Sequence, residues 1–183
     1  MGSSHAISGR RRPHGLRANT HRRIDSNVFR HVAEVIQVIS GQDLDDVILC
    51  GHSYGGLVAA ACASGVVDRV AHLVLLDCFL PVNGRSLWDL ATLAGIDMSN
   101  PDLTPDPPYV EPIQIDLRQL DGMPKTYVRC LDSEFRASWS IVGPRVKAGE
   151  LGSDMRFFEI SSVHNLMQAH PVQTARILLG AVG

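Results

Sequence analysis

The stretch Val47-Ile48-Leu49-Cys50-Gly51-His52-Ser53-Tyr54-Gly55-Gly56-Leu57-Val58-Ala59-Ala60-Ala61-Cys62-Ala63 decides how this chain folds. An apolar, strand-like run enters it and a small-residue, helix-like run leaves it. Between them stands Gly-x-Ser-x-Gly, the pattern of a sharp strand-to-helix turn that presents a strained, exposed serine. Gly51 and Gly55 flank Ser53 where side chains are expected to collide with the neighbouring strand and helix. The Ser53 hydroxyl would then stand at a helix N-terminus, where free N–H groups and the helix dipole favour negative charge. The Tyr54 N–H, next after the serine, is placed to donate to an oxyanion.

Working outward, the sequence predicts a helix over about 27–39, capped by Asp25 or Ser26, with Val28, Val32, Val35, Ile36 and Ile39 on one face. Gly41 closes it, and Ser64-Gly65 stops the helix after the turn. Residues 70–76 form a near-continuous apolar run, which suits a parallel strand covered on both faces. His72 within it reads as a satisfied core or edge histidine. Strands are also predicted over 125–130 and 155–160, a short helix over 86–93, and a partly helical segment over 138–146 broken at Gly143-Pro144. Pro171 opens a final helix with Val172, Ala175, Ile177, Leu178 and Leu179 as its apolar residues. Between the second and third strands, Pro101, Pro105, Pro107, Pro108 and Pro112 permit no long helix or central strand. The insertion 80–124 is read as a small cap over the serine, with Leu80 and Trp88 as pocket walls.

The chain has 183 residues and a formal net charge of −2, consistent with one domain, 1–183, built on one substantial core. Arg10, Arg11, Arg12, Arg17, Arg22, Arg23 and Arg30 crowd the start. Residues 1–24 read as a solvated basic leader rather than a nucleic-acid arm, and Met1-Gly2-Ser3-Ser4-His5 has the flavour of an expression leader. Cys50, Cys62, Cys78 and Cys130 lie in or beside apolar segments without metal-ligand or C-x-x-C spacing. They read as reduced core residues, which fits a cytoplasmic setting. No apolar run is long enough to span a membrane, and no metal site is expected from the cysteine spacing.

A serine needs a base, and the base needs an orienting carboxylate. After an elbow serine the order along the chain is Ser, Asp/Glu, His. His164 follows the last strand and precedes the last helix, where such a base belongs; His170 is the weaker candidate. His52 is expected to line or close the site. For the acid, Asp132 is the first choice, Glu134 the second and Asp77, at the end of the second strand, the third.

These motifs together resemble the α/β-hydrolase superfamily, specifically its small-cap branch of bacterial salicylate-esterase-like proteins, plant methyl-ester esterases and hydroxynitrile lyases. The resemblance is carried by 44–56, by Leu73-Val74-Leu75-Leu76-Asp77-Cys78-Phe79-Leu80-Pro81, and by Val163-His164-Asn165-Leu166-Met167 before His170-Pro171. It implies a cofactor-free serine hydrolase of α/β class, a mainly parallel sheet flanked by helices, cleaving a small carboxylic ester. Two departures accompany it. The family's first strands, with a His-Gly loop that supplies the second oxyanion donor, have no counterpart before Gly15. Loss of one such donor costs about 2.7–4 kcal/mol, and the absence would leave 47–50 as an exposed edge, inviting a homodimer. The family's acid sits six residues after the tyrosine of the strand 125–130, where this chain has Ser133. The rival readings are a non-catalytic binding or oligomeric module and a lyase or cyclase using the same site.

Overall fold

The computed structural model describes residues 27–99, 106–152 and 154–181. The basic start, the proposed caps Asp25 and Ser26, and Pro101 and Pro105 lie outside them. The four strand-like segments form four parallel strands, β1 (Val47–His52), β2 (Val70–Leu76), β3 (Lys125–Cys130) and β4 (Met155–Ile160), in the spatial order β1-β2-β3-β4. β2, β3 and β4 occupy the residues read from the sequence. Around the strands lie α1 (Val28–Gly41), α2 (Tyr54–Gly65), α3 (Leu87–Leu93), α4 (Pro107–Val110), α5 (Trp139–Lys147), α6 (Leu166–Ala169) and α7 (Pro171–Leu179).

The alternation of side chains along β2 divides the interior in two. Leu73 and Leu75 point into a large cluster with Val28 of α1, Leu57 to Ala61 of α2, Tyr127 of β3 and Val142 of α5. Val74 and Leu76 point the other way, to Val128, Cys130, Ile160 and Leu166, with Ile177 and Leu178 of α7 packed against them. A parallel sheet is covered on both faces, so its central strands β2 and β3 stay buried along almost their whole length. β4 does not: 156–159 are exposed on the outer strand, where Phe157 stacks on Trp139 and Tyr127.

Several local details depart from the sequence reading. The α1 cap is Asn27, whose Oδ1 accepts from Arg30 N–H at 2.8 Å. Pro144 sits inside α5 rather than breaking it, at the cost of the N–H that would have bonded one turn back. Gly143 beside it lets the Trp139 ring lie close, since a Cβ there would meet that ring at 2.7 Å. In α7, Thr174 is the buried residue, while Val172 and Leu179 are exposed. Cys50 is exposed on β1; Cys62, Cys78 and Cys130 are buried and unpaired. His72 is buried and bonds Thr126 Oγ1 at 2.9 Å, a satisfied core histidine.

The excursion between β2 and β3 opens with α3, whose Ser86 and Asp89 form a reciprocal capping box. It then returns through α4. Its Tyr109 stands edge-on to Tyr54 at 5.0 Å, and Glu111 Oε2 accepts from Val28 N–H at the start of α1. The excursion therefore touches the residue after Ser53. Among the described residues, no helix is long and apolar enough to cross a membrane.

Candidate active site

In-register parallel pairing brings the carboxyl ends of the strands to one edge of the sheet. His52, the last residue of β1, pairs with Leu76, the last of β2. Ser53 N–H then donates to Leu76 O at 3.1 Å, and Asp77 N–H donates to Val128 O at 2.8 Å. β4 ends at Ile160, and four residues later comes His164. Ser53, Asp77 and His164 are thus each the product of a strand ending at this edge, where open parallel sheets form their sites.

Ser53 has φ 53° and ψ −129° and makes no side-chain cap bond to α2. A left-handed φ is costly for a residue with a Cβ and marks a position held by its surroundings. The glycines around it divide their roles differently from the sequence expectation. A Cβ on Gly51 would lie 2.7 Å from Gly56 Cα and closer still to Gly55 O, so the turn requires glycine there. A Cβ on Gly55 would meet nothing within 4 Å among the described residues. The collision expected there falls instead on Gly56, whose Cβ would lie 2.6 Å from Cys78 Cβ and nearer to Cys78 Sγ. Tyr54 opens α2, and its N–H belongs to the first turn, which has no acceptor within the helix. The Tyr54 hydroxyl pairs with His31 Nδ1 at 2.8 Å, and burial pushes its pKa up.

The carboxylate against His164 is that of Asp77, the third candidate, and not Asp132. Asp77 Oδ2 accepts from His164 Nδ1 at 2.7 Å, with both side chains 8% exposed. Because an ionised carboxylate only accepts, the proton is on Nδ1 and the lone pair on Nε2, the tautomer of a base. Asp77 also takes Cys130 N–H on Oδ1 at 3.0 Å. Burial raises its pKa, but the hydrogen bonds from His164, Cys130 N–H and Ser133 together hold it below the usual carboxylate value. Ser133, which occupies the acid's position in the resemblance, is fully buried and serves this carboxylate instead of carrying one. Asp77 has φ 42°, a reversal that leaves its side chain among the strand ends. The next carbonyl, Cys78 O, is anchored by Tyr127 Oη at 2.6 Å.

Asp132 and Glu134 are exposed. The Asp132 N–H is tied to Ser162 O at 3.1 Å, which fixes the loop while its carboxylate remains in solvent. Asp77 follows the end of the apolar run 70–76, but Asp132 and Glu134 also follow a strand end, so position after a strand does not single it out in the sequence.

His52 reaches across the edge, Nε2 to His164 O at 2.9 Å, with the two rings 4.4 Å apart. Burial first, and then the neighbouring His164, lower its pKa, with Asp77 and Glu134 opposing. Phe135, overlooked in the sequence, stands edge-on to His164 at 4.7 Å. Leu80, expected to line a pocket, is 1% exposed within the main core, and its carbonyl accepts from Arg145 Nη1 at 2.7 Å. Its side chain therefore faces core rather than an open pocket. Trp88 is half-buried on α3. His170 stands at the N-cap position of α7 and makes no side-chain cap bond there.

Comparison with known proteins agrees with this fold. The Alpha/beta hydrolase family profile matches residues 3–173, and the chain belongs to that family. Over 60 residues it is 45% identical to a carbendazim hydrolyzing esterase from Nocardioides sp. (strain SG-4G), a match covering 33% of this chain and 25% of that esterase. The match thus spans a quarter of the relative's length. An extracellular alpha/beta-hydrolase from a Paenibacillus species, described as homologous in structure and function to tobacco salicylic acid binding protein 2, superposes with a TM-score of 0.66. It is 19% identical, with 89% of this chain and 83% of that one covered. A pyrethroid hydrolase from Sphingobium faniae JZ-2 superposes with a TM-score of 0.62 at 16% identity, covering 86% and 78%. Both likenesses concern the fold.

Proposed function

We propose that the chain is a serine esterase acting on a small carboxylic ester, with Ser53 as nucleophile, His164 as base and Asp77 as the orienting acid. The observation that carries this reading is the 2.7 Å bond from His164 Nδ1 to Asp77 Oδ2 at the strand edge that presents Ser53. Ser53 Oγ attacks the ester carbonyl as its proton passes to His164 Nε2. The carbonyl π electrons move onto oxygen, and the Tyr54 N–H at the start of α2 stabilises the resulting oxyanion. Collapse breaks the C–O bond to the alcohol, which leaves with the proton from His164. Water then repeats the cycle against the acyl-enzyme, releasing the acid and restoring Ser53. Asp77 keeps the imidazole in the productive tautomer and stabilises the imidazolium. The excursion 80–124 serves as a wall over the site through Tyr109, which lies on Tyr54.

Exposure to a fluorophosphonate, followed by intact mass and peptide mapping, tests the pair. The expected result is one adduct on Ser53, lost in both Ser53→Ala and His164→Ala, with turnover of p-nitrophenyl acetate lost in parallel. A folded sample that takes up no label overturns the esterase reading and leaves a binding module in its place.

A further inference from the structure

We infer that His52 is a positioning residue for the base, tying the main chain of His164 to the elbow that carries Ser53. The inference rests on the Ser53–His164–Asp77 reading. His164 lies between β4 and α6, on a segment that belongs to no strand or helix. Its imidazole is held by Asp77, but that bond alone leaves its main chain free to shift. The His164 carbonyl closes this gap by accepting twice, from Leu166 N–H at 2.9 Å and from His52 Nε2 at 2.9 Å. A carbonyl only accepts, so His52 Nε2 carries the proton and donates.

The bond spans 112 residues of sequence. Its donor is one peptide from the nucleophile and its acceptor is the base itself, so it fixes the two reacting residues in a common frame. The His52 ring also packs against the His164 ring, tilted by 42°, and Phe135 meets that ring edge-on. The imidazole thus has a carboxylate on Nδ1 and two rings against it, and Nε2 is left for the serine proton. Misplacement of a reacting group by about 1 Å costs on the order of 100-fold in rate.

The test compares His52→Gln, His52→Asn and His52→Leu by the rate of fluorophosphonate labelling and by kcat and KM for p-nitrophenyl acetate. Urea unfolding confirms that each variant is folded. The glutamine amide nitrogen reaches the position of Nε2; that of asparagine reaches only Nδ1. His52→Leu and His52→Asn are expected to lose about 100-fold in labelling and in kcat with KM little changed. His52→Gln is expected to recover to within about tenfold of the parent. Labelling of His52→Leu at the parental rate, or recovery by asparagine equal to that by glutamine, overturns the inference. A parent protein that does not label at all overturns the hydrolase reading first, and this inference with it.

Discussion

At the scale of the residue, the placement of the acid is the main result. Three carboxylates are candidates along the chain for His164, and the one that follows β2 reaches it because its strand ends beside the elbow. Asp77→Asn reverses the donor–acceptor sense at Nδ1 and favours the wrong tautomer, so kcat should fall by about 10⁴. Asp132→Asn should leave it near the parental value, and steady-state kinetics on one ester distinguish them. Comparable losses in both would return the role to the loop after β3. A second expectation concerns pH. Hydrogen bonding holds the Asp77 carboxyl below its ordinary range, so its folded value lies below the unfolded one of about 3.9. The stability it contributes is therefore present above that pH and is lost as pH falls through the folded value. Urea unfolding of the parent and Asp77→Asn should differ by a constant amount near neutrality and by a changing amount below about pH 4. A difference that stays flat into strong acid would contradict the depressed carboxyl.

At the scale of the element, the elbow is a close approach of three backbones rather than a flexible turn. Gly51 lies under Gly55 and Gly56, and Gly56 lies against Cys78 of the strand-end segment that also holds Asp77. Overpacking of such a site costs about 1–3 kcal/mol or more. Gly51→Ala and Gly56→Ala should lower the urea midpoint accordingly, whereas Gly55→Ala should not. Equal losses at all three positions would mean that the space for a Cβ does not set the requirement. Tyr54 binds the same element outward, to His31 of α1 through its hydroxyl and to Tyr109 of the excursion through its ring. The residue whose N–H is proposed to stabilise the oxyanion is thereby clamped from two sides.

At the scale of the whole molecule, the outer side of β1 has no strand beside it among the described residues. Unpaired strand edges recruit other chains, and pairing of a second copy along β1 is proposed on that ground. Sedimentation equilibrium should show mass rising with concentration toward a dimer, and Cys50→Lys, at an exposed position on this strand, should suppress the rise. A monomer mass independent of concentration would refute it.

Much of this protein was settled by local sequence. β2 is visible because a strand buried on both faces is nearly all apolar, whereas β3 and β4 mix polar and apolar residues and are marked by flanking turn residues, Pro124 before β3 and Ser161-Ser162 after β4. Ser53 and His164 are visible because each sits between a strand and a helix, a pattern carried by neighbours in the chain. The acid was not, since Asp77, Asp132 and Glu134 all follow strand ends and their sequence contexts do not rank them. Only the lateral register of β1 against β2, and the reversal at Asp77, bring one carboxylate to His164 Nδ1 and leave the others in water. The same holds for Gly55 and Leu80: whether a Cβ finds open space or a side chain finds core depends on partners distant in sequence, and tertiary packing alone decides it.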